Sequence, residues 1–414
     1  MYAGPSTSRS RGLGQASWGI LLVTVLLVAV AAACAQPVAP PGGGGAPADQ
    51  LTDEWGVITI PANGAIKVGF AAALSGPYAK LGKDIENAVK LAVEEKGTIQ
   101  GIKVQVVSED DQCEGAPSAN VARKFVADDQ MVGAVAHMCS GGTLAAMDIY
   151  QEKKMAMISP SSTAIDVTKK GLPIVFRTAW NDLIQGKAAA DFARQKLNVK
   201  KVAIIHDKSS YGQGLAEEFQ RNVKTGGVEV VALEGVSRGE KDFNAVLTKI
   251  KPNAPDLVYF GGMAAEGSQL VRQMKAQGIE AAFLSDDGLF DKKDYIEAAG
   301  GAADGTYVTY AKLPEGAQFT AWKDKFKQKF GSEIGTFSPQ GYDAVNILLN
   351  AVEKVAKKQA DGSLKIGRRA LVEAIRATKW EGVTGAVSFD ANGDRSGSIV
   401  VVNVVKGSEF QEVK

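Results

Sequence analysis

Short apolar runs alternate with amphipathic stretches along the chain from about residue 66 onward. The apolar runs, most of which end in a loop-forming residue, predict strands at IKVGFAAAL, IKVQVVSED, VGAVAH, KVAIIHD, VEVVAL, DLVYFGG and AAFLSDD. The stretches between them have helical spacing and predict helices at Lys83–Val93, Ser118–Ala127, Gly212–Val223, Phe243–Ile250 and Gly267–Gln277. This alternation is typical of an α/β fold in which helices cover both faces of parallel sheets.

The alternating pattern is too long for one open sheet, so we expect two lobes. A break is predicted at residues 177–186, where the strand-like IVFRT gives way to a polar segment before KVAIIHD starts a new series. Open α/β sheets bind ligands at the carboxyl ends of their strands. Two lobes that face each other there would form a cleft, the usual place for a small-molecule site.

The N-terminus has the pattern of an export signal. Arg9 and Arg11 precede an apolar run from Trp18 to Ala33, which predicts a signal peptide over residues 1–33. Small residues before Cys34 resemble a bacterial lipobox, so we expect this cysteine to carry lipid and to hold the protein at the outer face of a membrane. Ordinary cleavage after an A-x-A site, or a signal anchor, are the alternatives.

Residues 34–64 are predicted to form a flexible tether, because AQPVAPPGGGGAPADQ is rich in proline, glycine and alanine. Export would place the remaining cysteines in an oxidising compartment. The chain has 414 residues, with 47 basic and 46 acidic side chains. That balance gives no electrostatic reason to expect nucleic acid as a partner.

Cys113 and Cys139 each follow a predicted strand. Successive strands in such folds are usually neighbours, so two loops at one sheet edge could bring the sulfurs together. A disulfide there would stabilise the fold by roughly 3–4 kcal/mol. Zinc is a rival because His137 lies close to Cys139, but a fourth ligand is missing. A catalytic thiol is the third alternative, and export disfavours it because the thiol would be oxidised.

Two other motifs have ordinary explanations. FDANGDRSG begins like a calcium loop but lacks the glycine at position six and the glutamate at position twelve, and Asn-Gly predicts a β-turn. Gly261-Gly262 lacks the spacing of a nucleotide-binding motif. We expect no metal and no cofactor.

The ordered series of segments resembles a known family, the periplasmic leucine/isoleucine/valine-binding proteins of ABC importers. The segments that carry this resemblance are SGPYAKLG, DDQC, HMCSGGT, ISPSSTA, HDKSSYGQGLA, GEKDF, YFGG and FDANGDRSG. The implied fold has two Rossmann-like lobes with parallel-sheet cores, joined by a three-strand hinge, which is the type I periplasmic binding protein architecture. The resemblance implies a first lobe at residues 65–181 and 313–400, and a second at 182–312 and 401–414. It also implies a disulfide between Cys113 and Cys139.

The same resemblance implies a ligand-binding set from both lobes. Ser140, at a predicted helix start, would receive a ligand carboxylate. A backbone carbonyl at Ser161 and the hydroxyl of Thr163 would contact the ammonium and the carboxylate. Tyr211 would close over the ligand backbone, and Asp287, where the family commonly has glutamate, would pair with the ammonium.

Each of these residues also has a structural alternative. Ser140 could cap the helix, Tyr211 could fill the core, and Asp286-Asp287 could be solvated surface. The shorter side chain of Asp287 could require tighter lobe closure, or the participation of Asp286 or a water.

Leu81 and Met263 stand where family members often have aromatic residues. Both are apolar, so we expect a hydrophobic side-chain pocket of altered shape. Leucine, isoleucine and valine are the expected ligands. Another apolar amino acid, an amide such as urea, or an aromatic or short carboxylate are the alternatives.

The function implied is capture of a solute by a monomer that delivers it to an ABC transporter permease. The sequence shows no nucleophile, base and orienting group in one constellation, so we do not expect an enzyme. A ligand-sensing module for a signalling receptor is the rival from another class. A sensor would usually carry a further membrane helix and signalling domain, so the ending at SEFQEVK favours uptake.

Overall fold

A computed structural model of the protein describes residues 51–414. The predicted signal peptide, the predicted lipidation of Cys34 and the first part of the predicted tether lie outside the described residues. None of the helices within 51–414 is both long and apolar enough to span a membrane.

Strands and helices alternate along the described chain. The strands are β1 (Val57–Ile60), β2 (Ile66–Ala72), β3 (Thr98–Ile99), β4 (Ile102–Asp110), β5 (Met131–Val135), β6 (Ala156–Ser159), β7 (Val175–Arg177), β8 (Lys201–His206), β9 (Glu229–Gly235), β10 (Leu257–Gly261), β11 (Ala282–Ser285), β12 (Tyr307–Ala311), β13 (Lys357–Lys358), β14 (Leu364–Gly367), β15 (Trp380–Gly382), β16 (Gly385–Val387), β17 (Val400–Lys406) and β18 (Glu409–Glu412).

The α-helices are α1 (Ala79–Lys96), α2 (Gly115–Val126), α3 (Ser140–Glu152), α4 (Asp166–Lys169), α5 (Asp182–Gln195), α6 (Gly212–Thr225), α7 (Asn244–Ile250), α8 (Ala264–Ala276), α9 (Ala317–Phe330), α10 (Ser338–Val355) and α11 (Arg368–Arg376). Short 3₁₀ or π turns occur at Lys251–Asn253, Asp287–Leu289, Lys292–Glu297 and Gly300–Ala302. The strands and helices predicted from the apolar pattern are confirmed, with ends that differ by a few residues.

The first lobe is built on a six-stranded sheet in the order β3-β4-β2-β5-β6-β7. Its strands are parallel except for the edge strand β3. β5 and β6 are buried along their whole length, as expected for parallel strands with helices on both faces. The order reverses at β2, because the chain moves from β2 to β4 on one side and then to β5 on the other.

The second lobe is built on a seven-stranded sheet in the order β18-β17-β12-β11-β10-β8-β9. The five strands from β12 to β9 are parallel, and β17 and β18 add an antiparallel edge. Here the order reverses at β8, which lies between β9 and β10. The two lobes therefore share one topology, which confirms the predicted α/β class with two lobes.

The chain crosses between the lobes three times. The crossings lie between β7 and α5, between β12 and α9, and between β16 and β17. Arg177, at the first crossing, is completely buried and pairs with Asp394, near the third. Its guanidinium also donates to the carbonyl oxygens of Ser162 (3.0 Å) and Ala164 (2.8 Å). This ion pair connects two of the three crossings.

The prediction of a flexible tether through residue 64 is wrong for its last part. β1 pairs with β14 in a small antiparallel sheet, with Ile58 opposite Ile366 and Ile60 opposite Leu364. Ile58 and Ile60 are buried because the alternation in VITI places both isoleucines on one face.

The segment FDANGDRSG forms the predicted β-turn. The N–H of Gly393 donates to the carbonyl oxygen of Asp390, and Gly393 has a φ of 90°, a region that favours glycine. The Asp390 carboxylate accepts the N–H groups of Asn392 and Asp394. The Asp390 carboxylate therefore stabilises the turn, and the Asp394 carboxylate makes the ion pair with Arg177.

Candidate ligand-binding site

A cavity of about 420 Å³ lies between the lobes, at the carboxyl ends of strands from both sheets. Apart from Phe337, its lining follows β2, β4, β5 and β6 of the first lobe and β8, β9, β10 and β11 of the second. The lining residues are Leu81, Cys113, Glu114, Gly115, Met138, Cys139, Ser140, Gly141, Ser161, Asp207, Lys208, Ser209, Ser210, Tyr211, Arg238, Met263, Asp287, Gly288 and Phe337. This is where open α/β sheets bind ligands, and both reversals of strand order lie beside it.

Cys113 and Cys139 form a disulfide with a Cα–Cα distance of 5.3 Å. The expectation that their strands are neighbours is wrong, because β2 lies between β4 and β5. The sulfurs still meet, since parallel strands all end at the same sheet edge and the loops after β4 and β5 reach over the end of β2. The disulfide therefore lies over the end of β2, the strand at which the strand order of the first sheet reverses.

The start of α3 presents hydrogen-bond donors to the cavity. Cys139 occupies the N-cap position, and the first intrahelical bond runs from the Thr143 N–H to the Cys139 carbonyl oxygen (3.0 Å). The N–H groups of Ser140, Gly141 and Gly142 precede that bond and have no acceptor within the helix. Ser140 is thus the first residue of α3 and not its cap. Its hydroxyl oxygen accepts the Ala164 N–H (3.2 Å), which leaves the hydroxyl proton free to donate.

The loop after β6 lies against this helix start. The Ser161 hydroxyl donates to the Met138 carbonyl oxygen (2.8 Å), so its proton is already used. Thr163 is completely buried behind the cavity lining, and its hydroxyl has no hydrogen-bond partner of ordinary geometry among the described residues. The Thr163 carbonyl oxygen accepts the N–H of Asp182 (3.0 Å).

The loop after β8 positions Tyr211 at the second-lobe side of the cavity. Gly212 begins α6 so close to the end of β10 that a Cβ there would lie 2.4 Å from the Gly261 carbonyl oxygen. The Tyr211 hydroxyl oxygen accepts the Gly288 N–H (3.0 Å). Burial, and then the nearby Asp286 and Asp287, raise the pKa of Tyr211 well above its usual value. The hydroxyl therefore keeps its proton and can donate it.

Asp286 and Asp287 differ in how their carboxyl groups are satisfied. Asp286 accepts the Gly262 and Gly288 N–H groups, both at 3.1 Å. Asp287 is 4% exposed and lines the cavity, and its Oδ1 has no partner among the described residues. Burial raises the pKa of Asp287 to about 6, although the nearby Gln185 and Tyr211 side chains partly oppose this. Asp287 is therefore the carboxyl group with a free oxygen, and Asp286 is a structural one.

Asp182 is a further buried acid in this region, beyond Asp286 and Asp287, and its sequence context did not predict it. Neither of its carboxyl oxygens has a hydrogen-bond partner among the described residues. Burial, and then the neighbouring Asp287, raise the pKa of Asp182 to about 8. Burial thus disfavours the anions of three carboxyl groups near one another beside the cavity, those of Asp182, Asp286 and Asp287. Nothing in the segment NDLIQ distinguishes this aspartate from an ordinary acidic residue in the first turn of a helix.

Leu81 and Met263 both line the cavity, together with Met138 and Phe337. These four side chains supply an apolar surface. The lining also includes Arg238, which the sequence pattern did not predict because it lies within the loop SRGEKDF. The cavity therefore has an apolar part and a charged part.

His137 lies beneath the cavity and is completely buried. Its Nδ1 is 2.8 Å from Asp111 Oδ2, and its Nε2 is 3.2 Å from the Tyr150 hydroxyl oxygen. Both ring nitrogens of His137 are thus in contact with protein groups, and Cys139 is in a disulfide. His137 therefore packs at the sheet edge, under the start of α3.

Comparisons with known proteins agree with this architecture. A family model described as periplasmic binding protein matches residues 65–409. A leucine-, isoleucine-, valine-, threonine- and alanine-binding protein from Pseudomonas aeruginosa is 33% identical over 333 residues, which cover 80% of this chain and 87% of that protein.

Two solved structures are also similar. A leucine-binding protein from Thermotoga maritima has 28% identity and a TM-score of 0.77, covering 84% of this chain and 98% of its own. A branched-chain amino acid transporter substrate-binding protein from Streptococcus pneumoniae, solved with isoleucine, has 28% identity and a TM-score of 0.74, covering 84% of this chain and 99% of its own.

Proposed function

The chain belongs to the periplasmic binding protein family, and we propose that it captures a branched-chain or other apolar amino acid in the cavity between its lobes. The family consists of substrate-binding proteins of ABC transporters and not of enzymes. The single observation that carries the proposal is that the two sides of the cavity suit groups of opposite charge. Free N–H groups and the Ser140 hydroxyl lie on the first lobe, and a buried carboxyl group with a free oxygen, Asp287, lies on the second.

A zwitterion matches both sides. The start of α3 would hold the ligand carboxylate through its N–H groups, its partial positive charge and the Ser140 hydroxyl. Asp287 would hold the ammonium, with the Ser161 carbonyl oxygen as a further partner, whereas Thr163, also expected as a contact, lies buried outside the lining. A buried polar atom left without a partner costs about 1–3 kcal/mol. A ligand that satisfies Asp287 Oδ1 recovers that cost, which an apolar solute could not do.

The apolar part of the cavity supports an apolar side chain on the ligand. Leu81, Met138, Met263 and Phe337 offer contacts without fixed polar geometry, and methionine adapts to different shapes. Removing one methylene from a ligand in such a pocket changes binding by only about 1–3 kcal/mol. We therefore expect leucine, isoleucine and valine to compete with each other.

We further propose that the closed, loaded protein delivers the amino acid to an ABC transporter permease outside the cytoplasmic membrane. The family supports the exported location, and the lipobox-like segment before Cys34 supports a lipid anchor. Closure of two lobes around a ligand is a hinge motion, and the three crossings provide the hinge.

The test is calorimetric titration of the purified protein after bound ligand has been removed by unfolding and refolding without reductant. The panel is leucine, isoleucine, valine, alanine, phenylalanine, glutamate, urea and benzoate. We expect one-to-one binding of the branched-chain amino acids and weaker or no binding of glutamate, urea and benzoate. Binding of urea or benzoate alone would contradict the ligand assignment.

A further inference from the structure

Arg238, in the loop after β9, bridges the two lobes. Its guanidinium carbon lies 4.7 Å from the ring centroid of Tyr78, which belongs to the loop after β2 in the first lobe. The Arg238 Nε–H donates to the Tyr78 hydroxyl oxygen (3.2 Å). The Nη1 and Nη2 groups approach the carbonyl oxygen of Cys113 (3.3 Å) and its Sγ (3.1 Å). One side chain of the second lobe thus contacts an aromatic ring and the disulfide of the first.

Tyr78 is also contacted by a second residue of the opposite lobe. Its hydroxyl lies 3.4 Å from Glu266 Oε1, which accepts the Gly239 N–H as well (2.7 Å). Burial raises the pKa of Tyr78 to about 12, so its hydroxyl keeps the proton that it donates to Glu266. The first-lobe tyrosine is therefore enclosed between Arg238 and Glu266.

These contacts must break when the lobes separate. They join a loop that lines the cavity to the opposite lobe, and they do not involve Ser140, Asp287 or the other groups proposed to hold the ligand. A guanidinium over a tyrosine ring adds attraction, and charge-assisted hydrogen bonds to partly buried acceptors add more. The contacts therefore favour the closed arrangement independently of the ligand.

We propose that Arg238 and Tyr78 form a latch across the cleft that stabilises the closed state and lengthens the time for which a ligand stays bound. This inference rests on the proposed function as a binding protein. A second bridge between the lobes, Lys80 to Asp291 at 2.9 Å, differs in exposure. The Lys80 side chain is 37% exposed against 24% for Arg238, and exposed ion pairs contribute little. Arg238 is therefore the less solvent-exposed cation of these two bridges.

The experiment measures closure and ligand exchange separately. Spin labels at Lys124→Cys on α2 and Lys249→Cys on α7, in a Cys34→Ser background, report the distance between the lobes. Both lysines are exposed, and their helices follow β4 and β9, the strands beside the latch. Stopped-flow mixing with leucine gives the association and dissociation rates. The variants are Arg238→Ala, Arg238→Lys, Tyr78→Phe and Tyr78→Ala, with Arg272→Ala, an exposed arginine on α8 of the same lobe, as the matched control.

Arg238→Ala should broaden the label distances of the ligand-free protein towards longer values. It should raise the leucine dissociation rate about tenfold, while the association rate changes less than about threefold. Arg238→Lys should not restore the wild-type rate, because an ammonium cannot cover the ring and reach Cys113 together. The effects of Arg238→Ala and Tyr78→Ala should be less than additive in the double variant, since both remove the Arg238–Tyr78 contact.

Unchanged distances and dissociation rates in Arg238→Ala, or changes equal to those of Arg272→Ala, would overturn the latch. Tyr78→Phe keeps the ring and should still fold, so loss of folding in the alanine variants would not remove the test. If the wild-type protein binds no amino acid, the proposed function fails, but the label distances in the ligand-free protein still decide whether the latch exists.

Discussion

At the residue scale, the two adjacent aspartates after β11 have separate roles. Asp286 is held by two backbone N–H groups, whereas Asp287 lines the cavity and has one carboxyl oxygen without a partner among the described residues. The sequence predicted an acidic residue here through its family resemblance, but only the structure distinguishes which carboxyl group is free. Asp182 adds a further buried acid close to Asp287. Asp287, as a carboxylate, would favour a cation at that side of the cavity.

The ionisation of Asp287 predicts a pH dependence of binding. A ligand ammonium favours the carboxylate, so the pKa of Asp287, about 6 without ligand, falls on binding. Affinity should therefore weaken as the pH drops below 6, by roughly tenfold per pH unit once the acid is protonated. Titrations between pH 4.5 and 8 measure this.

Asp287→Asn should weaken leucine binding about 10–100-fold at pH 7 and flatten the dependence on pH. Asp324→Asn, a matched change on the exposed face of α9, should leave both unchanged. An Asp287→Asn protein with wild-type affinity would contradict the role assigned to this carboxylate.

Asp182 predicts a pH dependence of stability in the ligand-free protein. Its pKa is about 8 in the folded state and about 3.9 in an unfolded chain, so protonation favours the folded state. This contribution is complete below pH 4 and is lost as the pH rises through 8. Asp182→Asn cannot ionise, and its free energy of unfolding should exceed that of the wild type by about 2–5 kcal/mol at pH 8.

At pH 5, the free energies of unfolding of Asp182→Asn and the wild type should differ much less. Urea unfolding of the ligand-free proteins at both pH values measures it. A difference that is equal at pH 5 and pH 8 would mean that Asp182 is not a buried acid of raised pKa.

At the scale of single elements, the sequence predicted most of what local patterns determine. The buried strand LVYFG and the amphipathic helix after Phe243 both carry their periodicity in neighbouring residues, and both are present. β1 was missed because its partner β14 lies about 300 residues away and four residues alone do not reveal a pairing. Asp182 was missed for a related reason, since only the tertiary fold turns this helix residue towards Asp287.

The disulfide is the element that fixes the start of α3 next to α2. Replacing both cysteines, Cys113→Ser with Cys139→Ser, should lower the free energy of unfolding by about 3–4 kcal/mol, because the loop between them is no longer closed in the unfolded chain. Urea unfolding of this double variant measures the change, with Cys34→Ser as the control. A loss no greater than that of Cys34→Ser would contradict a stabilising role.

At the scale of the whole molecule, the cavity lies where two equivalent sheets bring their reversal points together. β2 lies between β4 and β5, and β8 lies between β9 and β10. At each reversal of strand order, the loops that follow the neighbouring strands run apart and leave room for a ligand. The sequence predicted two lobes and a cleft, but the strand order, and thus the place of the cavity, depends on long-range pairing.

The proposed anchor predicts where the whole protein is found. Lipid on Cys34 should hold the protein in the membrane fraction, while the tether lets the lobes face the permease. Cys34→Ser should move the protein to the soluble exported fraction, as fractionation and immunoblotting would measure. A variant that stays in the membrane fraction would favour a signal anchor.

The most direct test of zwitterion capture compares leucine with two derivatives that each lack one charge. Leucinamide keeps the ammonium and loses the carboxylate, and N-acetylleucine keeps the carboxylate and loses the ammonium. In calorimetric titrations at pH 7, we predict tight one-to-one binding of leucine and affinities at least about 100-fold weaker for both derivatives, because each leaves buried groups unpaired. Equal binding of leucine and either derivative would contradict the account, since it would show that the start of α3 or Asp287 does not hold its end of the ligand.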